Sequence, residues 1–211
     1  MNKDTYETKD ISTALESWEW DDLWRIKAND LNGDRLFLIG DSISRGYRHV
    51  SAAAFEGIFY VDNFATSKGI DNPHLLKTIE LAMEQEPNCK VIHFNNGLHG
   101  WHLSEDEYKK HYDALIGELV KKYPDVKIFL GLSTPLRVKD NIEVIDERNE
   151  RVIKRNEAVL EIAKKYNLPV TDLYGAIADT SKYHAADGVH LSEEGYTLLA
   201  QTIKNKVCEV L

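Results

Sequence analysis

The sequence predicts an α/β fold, a mainly parallel five-stranded sheet with helices on both faces, and three observations point to it. From Arg35 onward, short apolar runs alternate with longer segments of helical period, which is the pattern of consecutive βα units. The helical segments carry their own start signals, so the two element types are separated by more than hydropathy. The composition is that of an ordinary globular protein. With 211 residues, 43% hydrophobic and 29% charged, the chain can bury a full core, and 12 Gly with 5 Pro exclude collagen-like and low-complexity classes.

The strands are expected at residues 36–39, 58–61, 91–94, 126–132 and 168–171, each a short run of branched and aromatic residues. A helix over 44–55 follows the first. Asn72 and Pro73 supply a cap and a first-turn residue for the next, Ser104-x-x-Glu107 is a capping box, and Ser192-Glu193-Glu194 opens the last. The segment 146–166 places Val152, Ile153, Val159, Leu160, Ile162 and Ala163 largely on one stripe. Residues 1–34 read differently, as an N-terminal arm on a main domain of residues 35–211. In the arm Trp20, Leu23 and Trp24 stand at i, i+3 and i+4, which predicts a short amphipathic helix packing its aromatic face on the domain. The arm is also the segment through which copies of the chain would associate.

Charge and cysteine content narrow the partners. Thirty-five acidic against 26 basic residues give a net charge of −9, whereas a nucleic-acid binder needs a cationic footprint. The same charge disfavours anionic lipid surfaces and favours neutral, soluble ligands. No run of membrane-spanning length is present, and no membrane partner is expected. Cys89 and Cys208 are too few for a disulfide framework, and the start of the chain carries no signal-peptide pattern; both fit a cytoplasmic protein.

In a parallel α/β sheet the ligand crevice lies beyond the carboxyl ends of the strands. Ser42 sits there, three residues after the first strand and at the start of a helix, where backbone N–H groups and the dipole favour developing negative charge. A serine hydroxyl becomes a nucleophile only when a base takes its proton, and an imidazole serves as base only when a third group fixes its orientation. Asp187 and His190, three residues apart before the last helix, supply both, and Gly188 relaxes the backbone between them.

Gly40-Asp41-Ser42 and Asp187-Gly188-Val189-His190 resemble the first and last blocks of the SGNH, or GDSL, esterase/lipase superfamily, over about residues 35–211. The resemblance implies a three-layer, flavodoxin-like α/β/α sandwich with Ser42 as nucleophile, His190 as base and Asp187 as its orienting acid. The Gly-x-Ser-x-Gly elbow of the α/β-hydrolases is absent around Ser42. The amide of Ser42 is the first oxyanion donor that the resemblance implies. For its second-block donor, register from Asn63 gives Lys68 and chemistry gives Gly69. Where the third block usually reads Gly-x-Asn-Asp, this chain has Gly97-Leu98-His99-Gly100, so His99 stands for the Asn, with Asn96 as the other candidate.

The expected chemistry is hydrolysis of short acyl esters, O-acetyl groups on carbohydrates first, through an acyl-enzyme. Trp101 and Arg137 are expected to contact the saccharide ester. A lysophospholipase or thioesterase on the same three residues is the nearest alternative, and a non-catalytic carbohydrate-binding module is the alternative of a different class. No cofactor is expected. His93, His99 and His102 lack the spacing of a zinc site, so neither is a metal.

Overall fold

The computed structural model describes residues 11–211. After a single 3₁₀ turn at Ile11–Ala14, the elements in chain order are β1 (Asp21–Trp24), β2 (Arg35–Gly40), α1 (Ser42–Ala54), β3 (Tyr60–Thr66), α2 (Leu75–Met83) and β4 (Cys89–Phe94). Then follow α3 (Glu105–Lys122), β5 (Lys127–Gly131), β6 (Arg137–Val138), β7 (Asn141–Ile145), α4 (Asn149–Tyr166), β8 (Val170–Thr171), α5 (Leu173–Ile177) and α6 (Glu193–Val210).

The main sheet has the order β1-β3-β2-β4-β5-β8. Its five expected strands are parallel, with β2 central between β3 and β4. Strand period two sends alternate residues of β2 to opposite faces. Phe37 and Ile39 join the core beneath α2, α3 and α4, and Leu36 and Leu38 join the one beneath α1, α5 and α6. Both faces are therefore covered, in three layers. The capping box at Ser104 and Glu107 and the cap at Ser192 form as their sequences require.

Three expectations need correction. The Trp20 segment is strand β1, not a helix, and makes a sixth strand antiparallel to β3. A helix this short has little stability of its own, whereas the free edge of β3 offers a row of backbone groups to pair with. The second strand runs over Tyr60–Thr66 rather than 58–61. It continues through Asp62 and Asn63, which read as loop but are satisfied in the interior: Asp62 pairs with buried Arg35, and Asn63 donates to Leu38 O and Ser44 Oγ. On α4, Ile153 and Leu160 of the expected stripe are exposed, while Arg155 and Asn156 are buried.

Candidate active site

The site begins where β2 ends. Gly40 passes so close to its neighbours that a Cβ there would lie 2.8 Å from Ser44 Cβ and 3.1 Å from Asn95 O. Asp41 then caps α1, its Oδ1 accepting from Ile43 N at 2.9 Å. Ser42 is thus the first helical residue, two residues before the expected start at Ser44, with its hydroxyl at the positive end of α1. Asp41 itself is buried and its Oδ2 has no hydrogen-bond partner among the described residues. Burial pushes its carboxyl up, and the nearby charges of His99 and His190 oppose that shift.

The second part comes from the loop before α6. Asp187 Oδ1 accepts the backbone N–H groups of Val189 and His190, both at 2.9 Å, which folds the loop around the carboxylate. His190 Nδ1–H donates to Asp187 Oδ2 at 2.7 Å, and Nε2 lies 2.9 Å from Ser42 Oγ. Burial raises the Asp187 carboxyl, but the hydrogen bonds from His190 and the two amides outweigh it and leave the group below the usual carboxylate range. Gly188 makes the turn possible: its φ is +74° and a Cβ would stand 2.0 Å from Arg137 O. An aspartate that is ionised, an imidazole oriented by it and a hydroxyl at a helix N-terminus form an arrangement able to activate a serine.

The loops after β3 and β4 face this group. Gly69 packs backbone to backbone on Gly100, where a Cβ would meet Gly100 Cα at 3.0 Å. Of the two second-block candidates, Lys68 has its amide N–H on Thr66 Oγ1 at 3.1 Å, whereas the Gly69 N–H has no acceptor among the described residues. Lys68 also spends its ammonium on Asp21, at 2.7 Å from both carboxylate oxygens. Of the third-block candidates, Asn96 donates to Lys68 O at 2.9 Å and so ties the two loops together. His99 lies near enough to Asp41 for its charge to be felt there, and its Nδ1 is 3.4 Å from Glu16 Oε1.

Trp101 and Arg137 are not placed as expected. The Trp101 indole is half-buried among Arg148, Arg151 and Arg155, whose guanidinium carbons lie 5.9, 5.4 and 4.6 Å from its ring. Arg137 is buried, donating to Ile142 O at 3.1 Å and Ala178 O at 2.9 Å, and its backbone N–H holds Gly188 O at 2.8 Å. It therefore braces the β6–β7 hairpin against the Asp187 loop. Two residues that the sequence reading passed over also shape the site. Arg155 donates from α4 to Gly97 O, His99 O and Gly100 O at 2.9, 2.7 and 2.8 Å, and Glu16 touches His99 from the arm. The three imidazoles on and just after β4 are dispersed: His93 is enclosed in the sheet, His99 lies against Glu16, and His102 is bonded to Asp71 at 2.8 Å.

Residues 38–198 match the family model described as the GDSL-like Lipase/Acylhydrolase family. No curated protein matches the chain in sequence. Among solved structures, a GDSL-like lipase from Bacteroides thetaiotaomicron superposes with a TM-score of 0.67 at 18% identity, over 84% of this chain and 89% of that one. A carbohydrate acetylesterase from Sinorhizobium meliloti gives 0.69 at 15% identity, and an aryl esterase from M. smegmatis 0.70 at 14%, each over 84% of this chain and 100% of its own. At such identities these likenesses concern the three-layer fold. No described helix is long and apolar enough to cross a membrane.

Proposed function

Because this chain belongs to the GDSL-like lipase/acylhydrolase family, we propose that it is a serine esterase acting on short acyl esters, O-acetyl groups of carbohydrates first. The observation that carries the reading is the continuous relay from Asp187 Oδ2 through His190 to Ser42 Oγ, at 2.7 and 2.9 Å. As Ser42 Oγ bonds to the ester carbonyl carbon, His190 Nε2 takes the hydroxyl proton and the carbonyl electron pair moves onto oxygen. In this reading the oxyanion donors are the N–H groups of Ser42 and Gly69, which have no acceptor among the described residues, and the His99 ring. Collapse breaks the ester C–O bond. His190 returns the proton to the leaving alkoxide, and the acyl group stays on Ser42. Water then repeats the sequence, with His190 as base, and the carboxylic acid leaves.

The substrate class is supported less directly, by the likeness to a carbohydrate acetylesterase and by an acidic chain that favours neutral, soluble esters. Trp101, enclosed by arginines, and Arg137, spent on carbonyls, are left out of the substrate contacts. The test is hydrolysis of p-nitrophenyl acetate, butyrate and octanoate by the wild type and by Ser42→Ala, with a fluorophosphonate label and acetate release from acetylated oligosaccharides. Loss of turnover in the variant and labelling at Ser42 are expected. Turnover that survives Ser42→Ala overturns the reading, and preference for octanoate moves it to the lysophospholipase or thioesterase alternative.

A further inference from the structure

The arm is fastened at two places. At the crevice, Asp21 holds Lys68, and Trp20 exchanges two hydrogen bonds with Ser67 at 2.9 and 3.1 Å. At the opposite end of the sheet, where β2 and β4 begin, residues 25–30 close over Arg35, Asp62 and Glu86, whose side chains have no accessible surface. Arg25 Nε donates to Glu86 Oε1 at 2.9 Å, and the backbone N–H of Ile26 donates to Asp62 Oδ1 at 2.8 Å. Arg35, paired with Asp62, also donates to the carbonyls of Ile26, Lys27 and Asp30 at 3.1, 3.0 and 3.0 Å. The backbone of this arm segment is therefore held by buried charges.

Asp62 on β3 and Glu86 after α2 stand within hydrogen-bonding reach of each other. Two carboxylates can only accept, and Glu86 Oε2 is left buried with no hydrogen-bond partner among the described residues. One proton between them makes that oxygen a donor and removes a charge that burial makes costly. Burial first, then the hydrogen bond to Asp62 and its charge, push the Glu86 carboxyl up to about 8, against the opposing charges of Arg25 and Arg35. Cys89 on β4 also borders the pair, its N–H donating to Glu86 O at 3.3 Å. Its thiol, pushed up to about 12 by burial, brings no charge near neutral pH.

We propose that Glu86 and Asp62 form a pH-sensitive latch on the arm: sharing a proton they hold residues 25–30 closed, and when the proton passes to solvent the arm opens and Glu86 meets water. In the opened arm Glu86 ionises near the ordinary 4.5, whereas under the closed arm it keeps its proton to about 8. The closed form binds more protons between these values, so closure is firmest below the window and weakens as the pH rises through it. The latch is independent of the chemistry at Ser42.

The test is amide hydrogen exchange of the full chain from pH 5 to pH 9, corrected for intrinsic rates, in the wild type and in Glu86→Gln. Glutamine can still donate to Asp62 and accept from Arg25 but does not titrate. Protection of the Ile26 amide in the wild type is expected to fall by up to about tenfold per pH unit and to level off above about pH 8. It stays flat in Glu86→Gln, and the Leu38 amide in the middle of β2 keeps its protection in both. Equal slopes for Ile26 in the two proteins overturn the proposal. So does loss at Leu38 in step with Ile26, which would mean that the whole domain opens. The ¹³C carboxyl signal of Glu86 tests the wild type without any variant: titration near pH 8 is expected, and a group already ionised at pH 6 overturns the latch.

Discussion

His190 Nε2 lies 2.9 Å from Ser42 Oγ although the two residues are 148 positions apart. Neither is placed by a long loop. Ser42 is set by the Asp41 cap on α1, and His190 by Asp187, which gathers two amides and the ring nitrogen within three residues. The approach therefore follows from two compact local structures at neighbouring strand and helix ends.

Asp187→Asn tests the orienting carboxylate. The amide keeps the shape and can accept the two backbone N–H groups, but its nitrogen cannot accept from His190 Nδ1. We expect kcat for an aryl acetate to fall by about 10²–10⁴. Because the side chain is exposed, unfolding free energy is expected to shift by only about 1 kcal/mol or less. A kcat loss under tenfold contradicts the assignment.

Gly188→Ala tests the turn that delivers the histidine. The substitution puts a side chain at φ +74° and a Cβ 2.0 Å from Arg137 O, so the loop and the β6–β7 hairpin must part. A stability loss of about 2 kcal/mol is expected by urea unfolding, accompanied by a lower kcat as His190 moves from Ser42. Unchanged kcat with full stability would show that the loop tolerates the displacement.

The parallel sheet was legible because its strands are short apolar runs between capped helices, and the Ser42, Asp187 and His190 group was legible because each stands at a strand or helix end. What escaped were residues whose role depends on contacts distant in sequence. Arg155 looks like a solvent-facing charge on an amphipathic helix, but its guanidinium is buried against three carbonyls. Asp62 and Asn63 break the apolar pattern of β3 because their partners, Arg35 and Leu38 O, lie one strand away. Trp20 and Trp24 are spaced like a helix face, yet the edge of β3 decides their conformation. The one available signal for Arg155 was its spacing: it stands three residues after Val152 and four before Val159, on the buried side.

Arg155→Met and Arg155→Lys separate packing from hydrogen bonding in the loop that carries His99. Methionine leaves the carbonyls of Gly97, His99 and Gly100 without their donor inside the protein, which is expected to cost about 3 kcal/mol by urea unfolding. Lysine restores the charge but not the planar fork, so it recovers part of that loss. Both are expected to lower kcat through His99. If lysine matches the wild type in both measurements, the fork geometry is not what holds the loop.

His93 gives the fold an acid limit of its own. It is buried in β4, neither ring nitrogen has a hydrogen-bond partner among the described residues, and burial pushes its imidazole down to about 4. An unfolded chain binds the corresponding proton at about 6.5. Between the two values the unfolded state holds a proton that the native state refuses. The contribution is therefore complete above about 6.5 and is lost as the pH falls towards about 4. Over that window it amounts to about 3 kcal/mol. His93→Leu removes the titrating group and keeps an apolar side chain in its place. Urea unfolding at intervals from pH 7.5 to pH 4 is expected to show a shallower loss of stability in the variant, the gap widening as the pH falls. Parallel curves for the two proteins would mean that His93 is protonated equally in both states, which its enclosure in the sheet argues against.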